Sequence, residues 1–318
     1  VKTFAKVVGI LVLILLALAA SGVAWLSVRK PAQRPASTET VAPTPERLAR
    51  GKYLVHNVAD CLGCHSDHVL AYGCPVKPGT EGQGGFVFDK KIGFPGEVAA
   101  QNITSDRETG LGAWTDGEIL RAMREGVDRN GDALFPMMPY VHLAKMSDED
   151  ARSVVAYLRT LPEVRNQVVG KHIDFPVNLF IKFVPKPLSG PVSAPDPNDS
   201  VAYGKYLTII GGCYECHTPH DDKNRLDEKH PFSGGWEMRG PWGRVTTANL
   251  TPHPDTFMGR ASKQEFIGRF RAFANVDVAT APVVPAGHNT IMPWTAFSGM
   301  TDHDLGAIYD YLKTVPPI

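Results

Sequence analysis

Apolar positions are spread very unevenly along this chain. Residues 7–28 are 22 consecutive positions without a charge, and about 20 suffice for a helix to cross a bilayer. Beyond them the pattern becomes amphipathic, and it spells three helices twice. The first helix begins at Thr44-Pro45, with threonine as N-cap and proline at the first helical position. The second begins at a capping box, Thr115 with Glu118 in one half and Ser262 with Glu265 in the other. Ile119 and Met123 then recur at helical spacing, as do Phe266 and Phe270. The third begins at Ser147 or Thr301, with an acidic first turn that suits the helix dipole. Leu305, Ile308, Tyr309 and Leu312 form one apolar stripe. No β-strand pairing is expected. The fold class is mainly α: an N-terminal transmembrane helix followed by two small helical domains of about 115 residues, rich in loops.

The two helix sets belong to an internal repeat. The first half reads Gly51-Lys52-Tyr53-Leu54, Asn102-Ile103-Thr104, Met138-Pro139-Tyr140 and Tyr157-Leu158-Arg159-Thr160-Leu161-Pro162. The second reads Gly204-Lys205-Tyr206-Leu207, Asn249-Leu250-Thr251, Met292-Pro293-Trp294 and Tyr311-Leu312-Lys313-Thr314-Val315-Pro316. Offsets run from 147 to 154 residues, so only loops differ in length. The expected boundaries are a membrane anchor at 1–30, a Pro-rich linker at 31–45, a first domain at 46–165, a connector at 166–199 and a second domain at 200–318. The linker is rich in Pro, Ala, Ser and Thr, which predicts a solvated spacer holding the first domain off the membrane. Gly51 and Gly204 predict close helix crossings, against Tyr157-Leu158 and Tyr311-Leu312, because a helix glycine otherwise costs about 1 kcal/mol.

Each half also carries one C-x-x-C-H pentapeptide, Cys61-Leu-Gly-Cys64-His65 and Cys213-Tyr-Glu-Cys216-His217, 152 positions apart. In this motif both cysteines form thioethers to haem vinyl groups, and the histidine is placed to ligate the iron. A zinc ribbon brings its two C-x-x-C pairs within roughly 15–20 residues, far less than this gap. A thioredoxin-like site needs one pair inside a βαβ pattern that is absent here. Two covalent haem c groups are therefore expected, bound by Cys61, Cys64, Cys213 and Cys216. His65 and His217 supply one axial ligand each.

Electron-transfer haems need a second strong ligand, and methionine sulfur raises the potential. The repeat selects Met138 and Met292, each followed by proline and an aromatic residue. Met137 is the competitor in the first half. Met123, Met258 and Met300 are read as core filler. Trp114, Tyr140 and Trp294 are haem-pocket candidates. Trp114 lies in a Gly-Leu-Gly-Ala-Trp unit that the second half replaces with Asp255-Thr-Phe-Met-Gly259, so the two pockets are expected to differ in potential. His56, His68 and His220 are read as surface or haem-edge residues without counterparts across the repeat. Cys74 is the fifth cysteine and is left over; its nine-residue distance from His65 disfavours axial ligation.

Charge adds little. Lys and Arg total 33 and Asp and Glu total 33, so no basic surface points to nucleic acid. Basic residues flank the apolar run on both sides, Lys2 and Lys6 before it and Arg29, Lys30 and Arg34 after, which leaves the positive-inside rule undecided. A cleaved signal peptide is the rival reading, but its apolar core is usually about 7–15 residues. A retained anchor is expected.

The string Asn-Ile-Thr, then Asp106-x-x-Thr-Gly-x-Gly-x-Trp-Thr-x-x-Glu118, then Met-Pro-Tyr, resembles the cytochrome c subunits of bacterial membrane-bound alcohol, gluconate and sorbitol-type dehydrogenases. The resemblance covers residues 46–318 and implies class I cytochrome c domains, each closed by crossing terminal helices. It departs in two respects: those subunits typically carry three haem motifs, and they commonly attach through a C-terminal segment. The resemblance also implies a bacterial inner membrane with both cytochrome domains on the periplasmic side. The implied role is electron transfer, with no catalytic residue, from a membrane dehydrogenase or quinol-oxidising complex to a soluble cytochrome or oxidase. A fixed subunit of a respiratory oxidase-type complex is the alternative. A dihaem peroxidase or thiosulfate-oxidising enzyme is a third, disfavoured because both halves offer a methionine in register.

Overall fold

The computed structural model describes residues 2–69, 73–168, 170–221, 225–240, 243–281 and 291–318. Helix α1 (Lys2–Val28) is the uncharged run, and none of its residues is buried. Its 27 residues span about 40 Å at 1.5 Å each. It is long and apolar enough to cross a membrane.

The stretch that follows is not a free spacer. Lys30 pairs with Asp132 at 2.7 Å, Arg34 with the buried Glu125 at 2.6 Å, and Arg152 with Glu39 at 3.0 Å. Gln33 donates to the Gly131 carbonyl, and the Val41 N–H to Asp116. Pro31 and Val41 are buried. A side chain on Gly117 would strike the Ser37 carbonyl at 1.8 Å. Composition suggested a solvated linker, but its few charged residues each meet a partner of opposite sign on the first half. Residues 30–41 form a strap.

In the first half, helix α2 (Pro45–Tyr53) starts at the Thr44 cap and runs through a π-helical turn, Leu54–Val58, towards α3 (Leu62–His65). Strands β1 (Val87–Phe88) and β2 (Gly96–Ala99) precede α4 (Asp116–Glu125), α5 (Tyr140–Leu143) and α6 (Asp148–Leu158). The connector holds β3 (His172–Ile173) and α7 (Val177–Phe180). The second half comprises α8 (Ser200–Ile210), α9 (Cys213–His217), β4 (Glu237–Gly240), β5 (Gly243–Thr246), α10 (Phe257–Arg260), α11 (Lys263–Arg271), α12 (Trp294–Phe297) and α13 (Asp302–Leu312).

Both expected capping boxes are present, at Thr115/Glu118 and Ser262/Glu265. Helix α2 crosses α6, and α8 crosses α13. A Cβ on Gly51 would lie 1.9 Å from the Ser153 carbonyl oxygen and 2.7 Å from Tyr157 Cβ; one on Gly204 would lie 1.9 Å from that of Ala307. The first contact reaches Tyr157 as expected. The second falls at Ala307 and Ile308, a turn before Tyr311.

The expectation of no strand pairing is corrected. Strands β1, β2 and β3 form an antiparallel sheet in that order, and β4 pairs with β5. Strands of two to four residues are too short to carry a visible alternation of apolar and polar positions.

One apolar cluster includes residues of both halves, among them Leu54, Val155, Leu207 and Leu305. Two tyrosines join the halves reciprocally. The Tyr206 hydroxyl accepts from the Ser147 N–H and donates to Asp150 at 2.6 Å. The Tyr53 hydroxyl accepts from the Thr301 N–H and donates to Asp304 at 2.8 Å. Each tyrosine sits on the first helix of one half and grips the N-terminus of the closing helix of the other. Burial, with the facing carboxylate adding to it, keeps both phenols protonated.

Candidate functional site

The two pentapeptides sit in matching local frames. Cys61, Cys64 and His65 lie on or beside α3, and Cys213, Cys216 and His217 on α9. His65 Nδ1 is 2.6 Å from the Gln101 carbonyl oxygen, and His217 Nδ1 is 2.8 Å from that of Ala248. A carbonyl only accepts, so Nδ1 carries the proton and Nε2 keeps its lone pair. Burial lowers both imidazole pKa values, with the carbonyl bond opposing it, and the neutral form is favoured. That is the tautomer an axial iron ligand requires.

The carbonyls are fixed in turn. Gln101 and Ala248 immediately precede the repeated Asn-x-Thr units. Asn102 donates to the Val164 carbonyl at 2.7 Å, and Asn249 to that of Ile318 at 2.7 Å. The units therefore tie the segment facing each histidine to the chain beyond each closing helix. On the other side of each histidine, Ser66 accepts from the Gly82 N–H and Thr218 from that of Phe232. The repeat exposed the asparagines, but not the two backbone acceptors beside them, because any residue type supplies a carbonyl.

The four motif cysteines are half-buried. Burial pushes the thiols of Cys61, Cys64 and Cys213 up to about 12 and that of Cys216 to about 11. A thiolate is what binds zinc or exchanges disulfides, and burial disfavours that form here. Among the described residues, no group of three or more His, Cys, Asp and Glu side chains could hold a metal ion. Paired cysteines and one neutral histidine suit a group that brings its own macrocyclic ligands.

Met138 and Met292 also share a geometry. The Tyr140 N–H donates to the Met138 carbonyl and the Trp294 N–H to that of Met292, both at 2.7 Å. Pro139 (φ −79°, ψ 43°) and Pro293 (φ −77°, ψ 62°) are the centres of two inverse γ-turns. Met138 is half-buried against the core, whereas Met137 is exposed. Met123, Met258 and Met300 are buried core residues, as read from the sequence. Tyr140 is buried, with its hydroxyl towards the Leu134 carbonyl and its ring against Gly126. Trp294 stacks on Phe273 at 5.0 Å, and Trp114 packs on the core beneath Arg129.

The reading of the remaining histidines needs correction. His68 and His220 are 152 residues apart and so are counterparts. Each forms a matching bridge, His68 with Val76 and His220 with Leu226. The His220 side chain is 3% exposed and stacks on Trp236 at 3.9 Å, so it is no surface residue. His56 is half-buried and shares a 2.7 Å hydrogen bond with the Tyr157 hydroxyl. Cys74 has a left-handed backbone (φ 45°).

The pentapeptides approach each other across the junction of the halves. A Cβ on Gly211 would lie 3.1 Å from the Val58 carbonyl oxygen, and one on Gly299 would lie 2.0 Å from Asn57 Oδ1. His142, four residues after Met138, bonds Glu215 inside the second pentapeptide at 2.8 Å. That bond holds the Glu215 carboxyl below the usual range.

No family model matches the chain. Among curated proteins it is 28% identical over 284 residues to the cytochrome c subunit of alcohol dehydrogenase (quinone) from Gluconobacter oxydans (strain 621H), covering 85% of this chain and 55% of that one. It is 30% identical over 284 residues to the gluconate 2-dehydrogenase cytochrome c subunit of Pantoea cypripedii, covering 84% and 59%. A diheme cytochrome c-type protein of Cereibacter sphaeroides is 28% identical over 228 residues, covering 70% and 73%. These relatives are all c-type cytochromes by name, the class to which the paired C-x-x-C-H motifs are similar. The similarity extends to cytochrome subunits of quinone alcohol, gluconate and fructose dehydrogenases. It spans a little over half the length of those dehydrogenase subunits.

Proposed function

We propose that the chain is a membrane-anchored dihaem electron carrier built from two duplicated class I cytochrome c domains, residues 46–165 and 200–318. Cys61 and Cys64 hold one haem c, and Cys213 and Cys216 the other. His65 and Met138 ligate the first iron, and His217 and Met292 the second. The haem supplies reversible one-electron chemistry when bound. The protein fixes each histidine tautomer through Gln101 and Ala248, excludes water, and brings the two attachment segments together. No side chain forms or breaks a substrate bond.

The observation that carries this reading is the pair of motif histidines, each with Nδ1 committed to a backbone carbonyl and Nε2 available. The half-buried Met138 beside an exposed Met137, and the shared γ-turns, support the methionine assignment. Similarity to dehydrogenase cytochrome subunits supports a periplasmic dehydrogenase as donor and favours a complex subunit over a freely diffusing carrier. A quinol-oxidising complex is the other donor considered, and the acceptor is a soluble cytochrome or an oxidase. Helix α1 is retained as the anchor, with the cytochrome halves on the periplasmic side of the inner membrane.

Two measurements test this. Haem quantitation on the purified chain should give two per polypeptide, falling to one in Cys61→Ala/Cys64→Ala and in Cys213→Ala/Cys216→Ala. Met138→Ala and Met292→Ala should each change the ligand-field spectrum and lower one potential. If neither changes either quantity, the axial assignment is wrong. A high-spin resting protein that turns over peroxide would replace the carrier reading with an enzymatic one.

A further inference from the structure

Within residues 174–186 of the connector, Lys182 and Phe183 meet the C-terminal end of α1. Lys182 Nζ donates to the carbonyls of Leu26 at 3.0 Å and Ser27 at 2.7 Å. These are among the last carbonyls of the helix, which have no partner within it. The Arg29 guanidinium lies 5.1 Å from the Trp25 ring centre and 4.3 Å from that of Phe183. Helix α7 and the turn after it, Ile181–Phe183, have two distinct faces. Leu179 and Ile181 are buried against the protein, whereas Phe175, Phe180 and Phe183 are 69%, 57% and 43% exposed. Among the described residues, every phenylalanine this exposed lies either in α1 or in this segment. Scattered exposed apolar residues are ordinary, but a cluster of aromatic ones marks a contact surface.

We propose that Phe175, Phe180 and Phe183 form a lipid-facing patch that enters the headgroup layer beside the anchor. This rests on reading α1 as a membrane helix. The occupant is a bilayer for three reasons. The patch is continuous with the uncovered apolar surface of α1, because Phe183 and Trp25 share one guanidinium. Its chemistry, exposed rings with Arg29, Lys182 and Lys186 nearby, is that of membrane interfaces, where rings sit at headgroup depth and basic groups meet lipid phosphates. The nearby Asp174 carboxylate is offset by Lys90 at 2.9 Å. The patch gives the protein a second, lateral contact with the membrane, which fixes its tilt as well as its attachment.

The test uses the full-length haem-loaded chain with Cys74→Ser, reconstituted alone into phosphatidylcholine and phosphatidylglycerol vesicles. Nitroxide labels are placed singly by Ile14→Cys, Phe175→Cys, Phe180→Cys and Glu228→Cys. Collision rates are measured with oxygen, which concentrates in lipid, and with a water-soluble nickel chelate. The oxygen-to-nickel ratio at 175 and 180 should exceed that at the exposed position 228 several-fold and fall below that at 14. If 14 gives a lipid-like ratio while 175 and 180 match 228, the anchor stands and the patch proposal falls. Low access of both reagents to 175 and 180 means protein covers them, which also overturns it. An aqueous ratio at 14 removes the anchor reading itself, and the patch with it. Two independent labelling positions protect the result against one poorly folded variant.

Discussion

At the scale of single residues, the proposed ligation of the first iron by His65 and Met138 makes a prediction about its potential. Replacing sulfur by imidazole in Met138→His should keep six-coordination and lower that potential by on the order of 0.1–0.2 V, a fraction of the ~0.8 V that axial ligands span. Redox titration of the variant checks it, and an unchanged potential would point to Met137 or a histidine instead. His56 makes a pH prediction. Burial lowers its pKa below the ordinary 6.5, and the nearby Lys52 adds to the shift. The unfolded chain then binds more protons than the folded one between the depressed value and 6.5. Stability from neutral His56 is therefore full above about 6.5 and is lost as pH falls through the folded pKa. His56→Gln should flatten this part of the urea-midpoint profile below pH 6.5. That the cysteines and histidine of each motif lie together on or beside one short helix was legible from the chain alone, because C-x-x-C-H fixes type and spacing together. The carbonyl acceptors of Gln101 and Ala248 were not, since a backbone oxygen leaves no trace in side-chain identity. The kinship of His68 with His220, by contrast, was legible in the 152-residue offset that they share with the pentapeptides.

At the scale of elements, the helix crossings are the most constrained contacts. Gly51→Ala or Gly204→Ala would gain about 1 kcal/mol of helix propensity. Either adds a methyl group 1.9 Å from a carbonyl oxygen, so overpacking should win by about 1–3 kcal/mol. Chemical denaturation of both variants should show the loss, and a gain in stability would mean the helices can slide apart. Removing a cap in Thr115→Ala or Ser262→Ala should cost about 1 kcal/mol, a smaller effect measurable the same way. These elements were readable because caps, glycines and apolar periodicity are local signals. The short strands were not, because β2 is held by partners on both sides that lie far apart in sequence, Val87 near one edge and His172 near the other. The strap was misread for the same reason. Arg34 looks like any linker cation until Glu125, 91 residues away, is brought beside it.

At the scale of the whole molecule, the two tyrosine clasps decide whether the halves act as one body. Tyr53→Phe and Tyr206→Phe together remove a hydroxyl from each clasp and leave Asp304 and Asp150 with fewer donors. Arg50 still holds Asp150 through two bonds of 2.8 and 2.9 Å, so the Tyr53 side should loosen more. Each deletion should cost about 1–2 kcal/mol. Hydrogen exchange at residues 147–150 and 301–304 should rise in the double variant. Unchanged protection would mean that the apolar cluster alone joins the halves. The repeat announced two similar units, but no feature of either unit told how they would be joined.

The strap bears on how this molecule meets a partner. Fifteen residues of unrestrained chain between 31 and 45 could extend to roughly 50 Å and would let the two halves roam over a broad hemisphere. Pinned by Arg34, Glu39 and Val41, that length contributes almost no reach. The stand-off height of both cysteine pairs above the end of α1 becomes a fixed dimension of the protein. On the proposed electron-carrier reading, a partner must then present its own electron-carrying edge at the same altitude. Substitutions that release the strap, such as Arg34→Ala with Glu39→Ala, should widen the range of acceptors served and slow delivery to the one whose height matches, as competing stopped-flow oxidations by a membrane-bound and a soluble acceptor would reveal.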